Sequence, residues 1–359
     1  MTTKAVASWA VPFLLVGCCI PLPGSDEPPP PVPSVPLPTG SAPPVPSAPP
    51  GAPATPGALA PAAMPAPVVH ESELRARKVA EYSRHCLNQM SDRAFRSRQR
   101  YLSWAAEGPT ARRAGWGVPE VSGNIAGCRA AIARAQPMPP AMPEAEAAAV
   151  AYADAVAALM PITSRANQYY EREMFRDDDL AQGREMHGPL VAAYTAFATA
   201  HQALFEQVIA TQRAARRERI ARMENDPSQR SSYLIERTIA QADDVFQMAQ
   251  ALRIEGSRYV SDDAAALIQA VETLRLGTDE LAAYSPSSGG EPRRLDEVRS
   301  EANEYLETAL ALMRRVRDGD RFSTGERMSL GNSSEWMVRG SVGRLERDYN
   351  ELVDAYNSR

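Results

Sequence analysis

Beyond residue 70 the apolar side chains recur every three or four positions, a spacing that lines one face of a helix and no face of a strand. Leu190, Tyr194, Phe197, His201, Leu204 and Val208 make one such stripe, and Leu295, Val298, Ala302, Tyr305, Ala309, Leu312 and Val316 another. Val338, Val342, Leu345, Tyr349, Leu352 and Tyr356 form a third, and Ile235, Ala242, Val245, Ala249 and Leu252 a fourth. No alternating run argues for a strand, and Ala, Leu, Glu, Gln and Arg dominate, as helix propensity prefers. The fold is predicted to be all-α, with about eight long helices packed antiparallel in one or two bundles. Breaks fall at Gly108 and Pro109, at 115–117, at 137–143, at 285–292 and at 319–334. Asn225 and Asp226 before Pro227 supply a cap and a proline for a first helical turn, so 226 divides an N-terminal helical bundle (70–225) from a C-terminal one (226–359).

The first 70 residues obey different chemistry. Residues 1–17 carry a single charge, Lys4, and an apolar run ending at Gly17, too short to span a bilayer and suited to an export signal. Leu15, Val16, Gly17 and Cys18 resemble the lipobox of bacterial lipoproteins, in which cleavage leaves the cysteine as an acylated N-terminus. The resemblance implies a lipoprotein signal peptide over 1–17 and lipidation of Cys18; an ordinary signal peptide with a chance cysteine is the alternative. Cys19 follows where an aspartate favours inner-membrane retention, so the expected address is the outer membrane, with the domain in the periplasm or exposed at the surface. At about 0.8 kcal/mol per buried CH₂, several acyl chains hold such a protein on its membrane.

Between Pro21 and Pro67 lie 19 of the 31 prolines, with Asp26 and Glu27 as the only charges. Proline lacks an N–H and fixes φ, so 18–69 is expected to be a disordered Pro/Ala-rich tether with a contour of roughly 150 Å. A proline-rich ligand for a partner groove is the other use of such a composition.

Composition removes several classes. With 359 residues, 23% charged, the chain is too polar for a polytopic membrane protein, and four cysteines are too few for a disulfide scaffold. The net charge is −5 and no basic stripe stands out, so nucleic acid is not an expected partner. Of the 39 basic residues only Lys4 and Lys78 are lysines. A phosphate-binding loop ending in Gly-Lys-Ser/Thr is therefore absent, as are a dinucleotide fingerprint and a zinc-protease helix. Gly340, Ser341, Val342 and Gly343 sit within a helical stripe rather than after a strand, which excludes a nucleophile elbow. No cofactor, metal or catalytic residue is expected.

Few polar groupings remain. Of the histidines, His70 lies three residues before Glu73 at a helix start, His85 is expected to face solvent, and His201 to be a hydrogen-bonded core residue. Tyr169, Tyr170, Asp177, Asp178, Asp179, Glu185 and His187 gather at the junction of two long helices. Three successive carboxylates attract a cation or nearby arginines, which makes Tyr169, Tyr170, Asp178, Asp179 and His187 a candidate ligand site. The plainer reading has Asp179 capping the second helix. Arg213, Arg216, Arg217, Arg219 and Arg222 read as a solvated face near a helix C-terminus.

Several stretches resemble the YiiG-like family of uncharacterised bacterial lipoproteins. They are Tyr82 through Asn88 (YSRHCLN), Ser97 through Trp104 (SRQRYLSW), Gly108 and Pro109, Cys128, Tyr169 and Tyr170, Phe175 through Asp179 (FRDDD), Gly183, His187 through Leu190 (HGPL), and the closing helix from Arg347 to Asn357. Their order spans nearly all of the chain after the tether. The resemblance supports the address and the helical fold, and implies no reaction.

An oxidising compartment further predicts a disulfide between Cys86 and Cys128, on consecutive helices ending near Ala106 and starting near Pro119. The connecting loop doubles back by roughly 16 Å, within reach of a dozen residues. The alternative is two buried free thiols. Taken together, these features predict an outer-membrane-anchored lipoprotein, held to the membrane by its lipid, whose helical domain binds an envelope protein or glycan or serves structurally. The alternative is a metal-dependent or ligand-binding protein, or an enzyme, using the constellation from Tyr169 to His187.

Overall fold

The computed structural model describes residues 70–110, 112, 114–285, 292–332 and 334–358. The expected signal peptide over 1–17, Cys18 and the expected tether over 18–69 fall outside the described residues.

Helices α1 (Glu71–Tyr82) and α2 (Asn88–Ala105) form one rod through a π-helical turn at Ser83–Leu87. Then come α3 (Ile125–Ala135), α4 (Pro143–Glu171) and the 43-residue α5 (Ala181–Met223). Past α5 lie α6 (Arg230–Gln250), a hairpin of β1 (Arg253–Glu255) and β2 (Arg258–Val260), α7 (Ala264–Ala283) and α8 (Pro292–Asp318). The chain ends with the short α9 (Thr324–Ser329) and α10 (Val342–Asn357).

Local chemistry explains the boundaries. Asn124, Asp263 and Ser341 each accept a backbone N–H of the first turn of α3, α7 and α10, and Ser323 and Glu326 form a reciprocal capping box on α9. Pro143 opens α4 at a position where a missing N–H costs nothing. Asp226 caps the 3₁₀ turn Pro227–Gln229 ahead of α6.

Two apolar cores result. One joins α1 to α4 with the first part of α5, from Val79 to Val208; the other joins the end of α5 with α6, α7, α8 and α10, from Met223 to Tyr356. The stripes do the burying: Leu190, Tyr194, Phe197, Leu204 and Val208 face the first core, and Leu295, Val298, Ala302, Tyr305, Ala309 and Leu312 the second. Cys86, in the π turn, and Cys128, in α3, are bonded, with Cα atoms 4.8 Å apart.

Several expectations need correcting. The α3 helix starts at Ile125, not near Pro119, because Val118 and Val121 are buried in an extended segment pinned by Thr163 and Asn167 of α4. Leu252 and Val338 continue their stripes but lie outside the helices, which stop at Gln250 and start at Val342. Ser341 caps α10 rather than lying within it, after Gly340 in a left-handed turn (φ 68°). A Cβ at Gly340 would also crowd the Ala311 carbonyl at 3.0 Å. The hairpin leaves no mark in the sequence pattern, since three residues a side are too few for an alternation to register. It is held by Tyr259, which packs edge-on against Phe322 and accepts the Val342 N–H.

Candidate functional site

Of the candidate ligand site, Tyr169, Tyr170, Asp178 and His187 gather at the tip where α2, α4 and α5 meet, and Asp179 does not join them. Tyr169 and Tyr170 end α4, and the chain enters α5 through Asp179 and Leu180, both left-handed (φ 49° and 64°). That reversal lifts the Asp178 carboxylate over the first turn of α5. It accepts the Tyr169 hydroxyl at 2.7 Å and the Gln182 N–H at 3.0 Å, and the Gln182 amide above all holds its carboxyl below the usual range. Asp178, not Asp179, therefore caps α5, and Asp177 and Asp179 stand exposed. Burial pushes the Tyr169 phenol up to about 12, so it remains a donor.

His187 lies one turn further along α5, its Nδ1 2.7 Å from the Tyr101 hydroxyl. Tyr101 meets Trp104 edge-on, Trp104 meets Tyr170, and Tyr170 meets Tyr169, with ring centroids 5.3, 5.3 and 4.9 Å apart. The indole N–H of Trp104 donates to the Gly117 carbonyl, and Ser97 joins Tyr194 to the Pro119 carbonyl. Gly183 permits the whole arrangement, since a Cβ there would lie 2.9 Å from the Tyr170 hydroxyl and 3.2 Å from the Tyr169 ring. Chemically, the cluster is a nest of aromatic rings in which Tyr169 is bonded to Asp178 and Tyr101 to His187, while the buried Tyr170 hydroxyl has no hydrogen-bond partner.

Beside the nest, an open cleft of about 330 Å³ separates α4 from α5, lined by Pro161, Ile162, Arg165, Glu185, Met186 and Pro189. Both prolines sit inside their helices, where each removes a backbone N–H. His187 and the tyrosines do not line the cleft.

The remaining candidates resolve differently. His201 is buried, but neither ring nitrogen has a hydrogen-bond partner; it lies among Phe95, Phe197, Phe205 and Tyr152, and burial pushes its pKa down to about 4. His85 stands 3.7 Å from Glu81 at the surface. Most of the arginine cluster is not a solvated face. Arg213 pairs with Asp243 at 2.8 Å, Arg216 lies between Glu236 and Asp243, and Arg219 bridges Glu73 and Glu236. Arg222 reaches Glu73 from the surface, and Arg217 is exposed. The reason is tertiary: α5 outruns the first core, and α1 and α6 cover its far end.

Two groupings escaped sequence reasoning. Lys78 is fully buried, its ammonium donating to the carbonyls of Gln136, Met138 and Pro140 and pairing with Glu146. The signal was available: Lys78, Tyr82 and Cys86 share one helical face. Glu301, Glu304 and Glu351 bring three carboxylate oxygens within 4.8 Å of one another, from two helices that no sequence spacing connects.

The fold and these sites define an all-helical protein with two apolar cores sharing one long helix, with Tyr101, Tyr169, Tyr170 and Tyr194 buried at the tip of the first. The chain belongs to the family described as "Protein of unknown function (DUF3829)", which matches residues 73–358. It is 28% identical over 301 residues to the uncharacterized protein YiiG of Escherichia coli (strain K12), covering 81% of each chain. No solved structure matches it.

Proposed function

We propose that the protein is a lipoprotein of the outer membrane whose helical domain acts as a binding or structural module of the cell envelope. The observation that carries the second half is the state of the tyrosine cluster. Asp178, Tyr169, Tyr101 and His187 are engaged with one another and with backbone, and a group already bonded and ringed by aromatic side chains is poorly placed to hold substrate. The anchor rests on Leu15 to Cys18 and on the apolar run before them. The disulfide supports the same address, since such bonds persist in oxidising compartments.

Mass spectrometry of the mature N-terminus tests the anchor. An acylated cysteine at position 18 is expected, with Cys18→Ser leaving the protein in the soluble envelope fraction. An unmodified chain starting elsewhere overturns it. Crosslinking in intact envelopes followed by capture of the full chain tests the module, with a specific protein or glycan adduct as the expected result.

The cleft between α4 and α5 favours a second reading, a ligand-binding protein for a small amphipathic molecule, with Arg165 and Glu185 providing opposite charges at an apolar groove. Loss of thermal stabilisation by envelope extract in Arg165→Ala, but not in a remote surface variant, would favour it.

A further inference from the structure

The turn between α8 and α10 exposes more apolar surface than its length explains. Met328 is 77% exposed, Met337 58% and Trp336 41%, all within one short stretch. The Arg347 guanidinium stacks on the Trp336 ring at 4.6 Å and orients it. From Ser323 to Ser341 both acids, Glu326 and Glu335, are spent internally, and the exposed Asp320 lies before them. Glu326 accepts the Ser323 N–H and pairs with Arg315, and Glu335 accepts the N–H groups of Gly331 and Gly343. Arg327 and Arg339 stand exposed in the same stretch, and Arg347, which also pairs with Glu351, adds a third exposed guanidinium at the indole. An aromatic ring flanked by methionines and guanidinium donors, with its carboxylates already bonded, suits a ligand that is rich in carbonyl acceptors, poor in N–H donors and faced with pyrrolidine rings. A polyproline segment has that chemistry.

The chain contains such a segment. Residues 26–38 read DEPPPPVPSVPLP, and their only charges are Asp26 and Glu27, complementary to the arginines of the turn. Reach is ample. Glu73, near the start of α1, pairs with Arg219, which also meets Glu236, the acceptor of the Tyr356 hydroxyl near the end of α10. From Tyr356 back to Val342, α10 climbs about 21 Å, so Trp336 stands on the order of 30 Å from His70. Residues 39–69 can span up to about 95 Å at 3.1 Å each. A ligand on the same chain acts at an effective concentration of the order of millimolar, enough for a modest surface contact.

We propose that the Trp336 turn docks the chain's own proline-rich segment, residues 26–38. This goes beyond the envelope reading and does not depend on acylation. In an anchored protein it would draw the domain toward the membrane, so that a competing proline-rich partner would release it to full reach.

The test uses the full-length chain with Cys18→Ser, carrying a photoreactive phenylalanine analogue at position 337 and mixed from isotopically heavy and light protein. The expected crosslinks join position 337 to residues 26–38 of the same chain, with a yield unchanged on dilution. Trp336→Ala should lower that yield by roughly tenfold, as loss of an aromatic anchor does, and Trp336→Phe should restore part of it. Should Trp336→Ala fail to fold, replacing the prolines of 28–38 with serine should cause the same loss. Mixed heavy–light crosslinks that grow with concentration would assign the exposed face to a second copy and overturn the proposal. Crosslinks elsewhere, or a yield indifferent to both changes, would equally overturn it.

Discussion

His201 concentrates the tension between sequence pattern and chemistry at the residue scale. Its place in an apolar stripe buries it, and burial among aromatic rings leaves both nitrogens without partners. Because its pKa falls to about 4 in the fold, the unfolded chain binds the extra proton first, and stability present above pH 6.5 is lost as pH falls toward 4. The full shift corresponds to about 3 kcal/mol. Glu346 works in the opposite direction: burial lifts its carboxyl to about 7, so its contribution is lost as pH rises from the ordinary range to 7. His201→Phe isolates the histidine. Urea midpoints at pH 7 and pH 4.5 should differ less in the variant than in the parent, and equal differences would show that His201 does not carry the acid sensitivity. At Gly183 the constraint is space. Gly183→Ala must push a methyl against Tyr170 and Tyr169, and should destabilise by about 1–3 kcal/mol in chemical denaturation. A change under a few tenths would mean that the tyrosines simply move aside.

Among the elements, the join of α3 to α4 depends on one side chain from α1. Lys78 satisfies the carbonyls of Gln136, Met138 and Pro140 where α3 ends, while its partner Glu146 accepts the Met142 N–H where α4 begins. The Lys78 ammonium also holds the Glu146 carboxyl below its usual range. Lys78→Met retains the aliphatic stem but strands the carboxylate and three carbonyls, so about 3–5 kcal/mol should be lost, read from the denaturation midpoint. Glu146→Gln in the same background should recover part of the loss by removing the unpaired charge. Failure to recover would place the cost in packing instead. The acidic triplet on α8 and α10 is the converse case, with burial and the neighbouring Glu304, Glu351 and Asp348 lifting the Glu301 carboxyl.

For the whole molecule, the question is how two cores behave as one. The α5 helix enters both, and around its far end Arg213, Arg216 and Arg219 meet Glu73 of α1 with Glu236 and Asp243 of α6. Such pairs add little net stability each, but they tie α5 to both α1 and α6, so parting the halves breaks several of them together. Arg219→Gln should therefore weaken coupling more than either core. In calorimetry the parent is expected to melt as one transition and the variant to broaden or split. A single sharp transition in both would put the coupling in α5 itself.

Much of this protein was legible in its residues. The three-and-four spacing specified helices and their buried faces, because a helix of 3.6 residues per turn leaves no other way to gather Val298, Ala302, Tyr305, Ala309 and Leu312 out of water. Cysteine placement anticipated the bond between Cys86 and Cys128. The approximate location of the tyrosine cluster was also readable, since Tyr169 to His187 are close in sequence. What only the tertiary structure decided is which polar groups stay wet. Arg216 and Arg217 are neighbours of identical type, yet one is 7% exposed within an ion network and the other faces solvent. Asp178 rather than Asp179 caps α5 because two left-handed residues turn the chain there, and Tyr101, far off in sequence, takes the His187 nitrogen. Periodicity encodes a burial face through local geometry; partnership between polar groups depends on distances set by other helices.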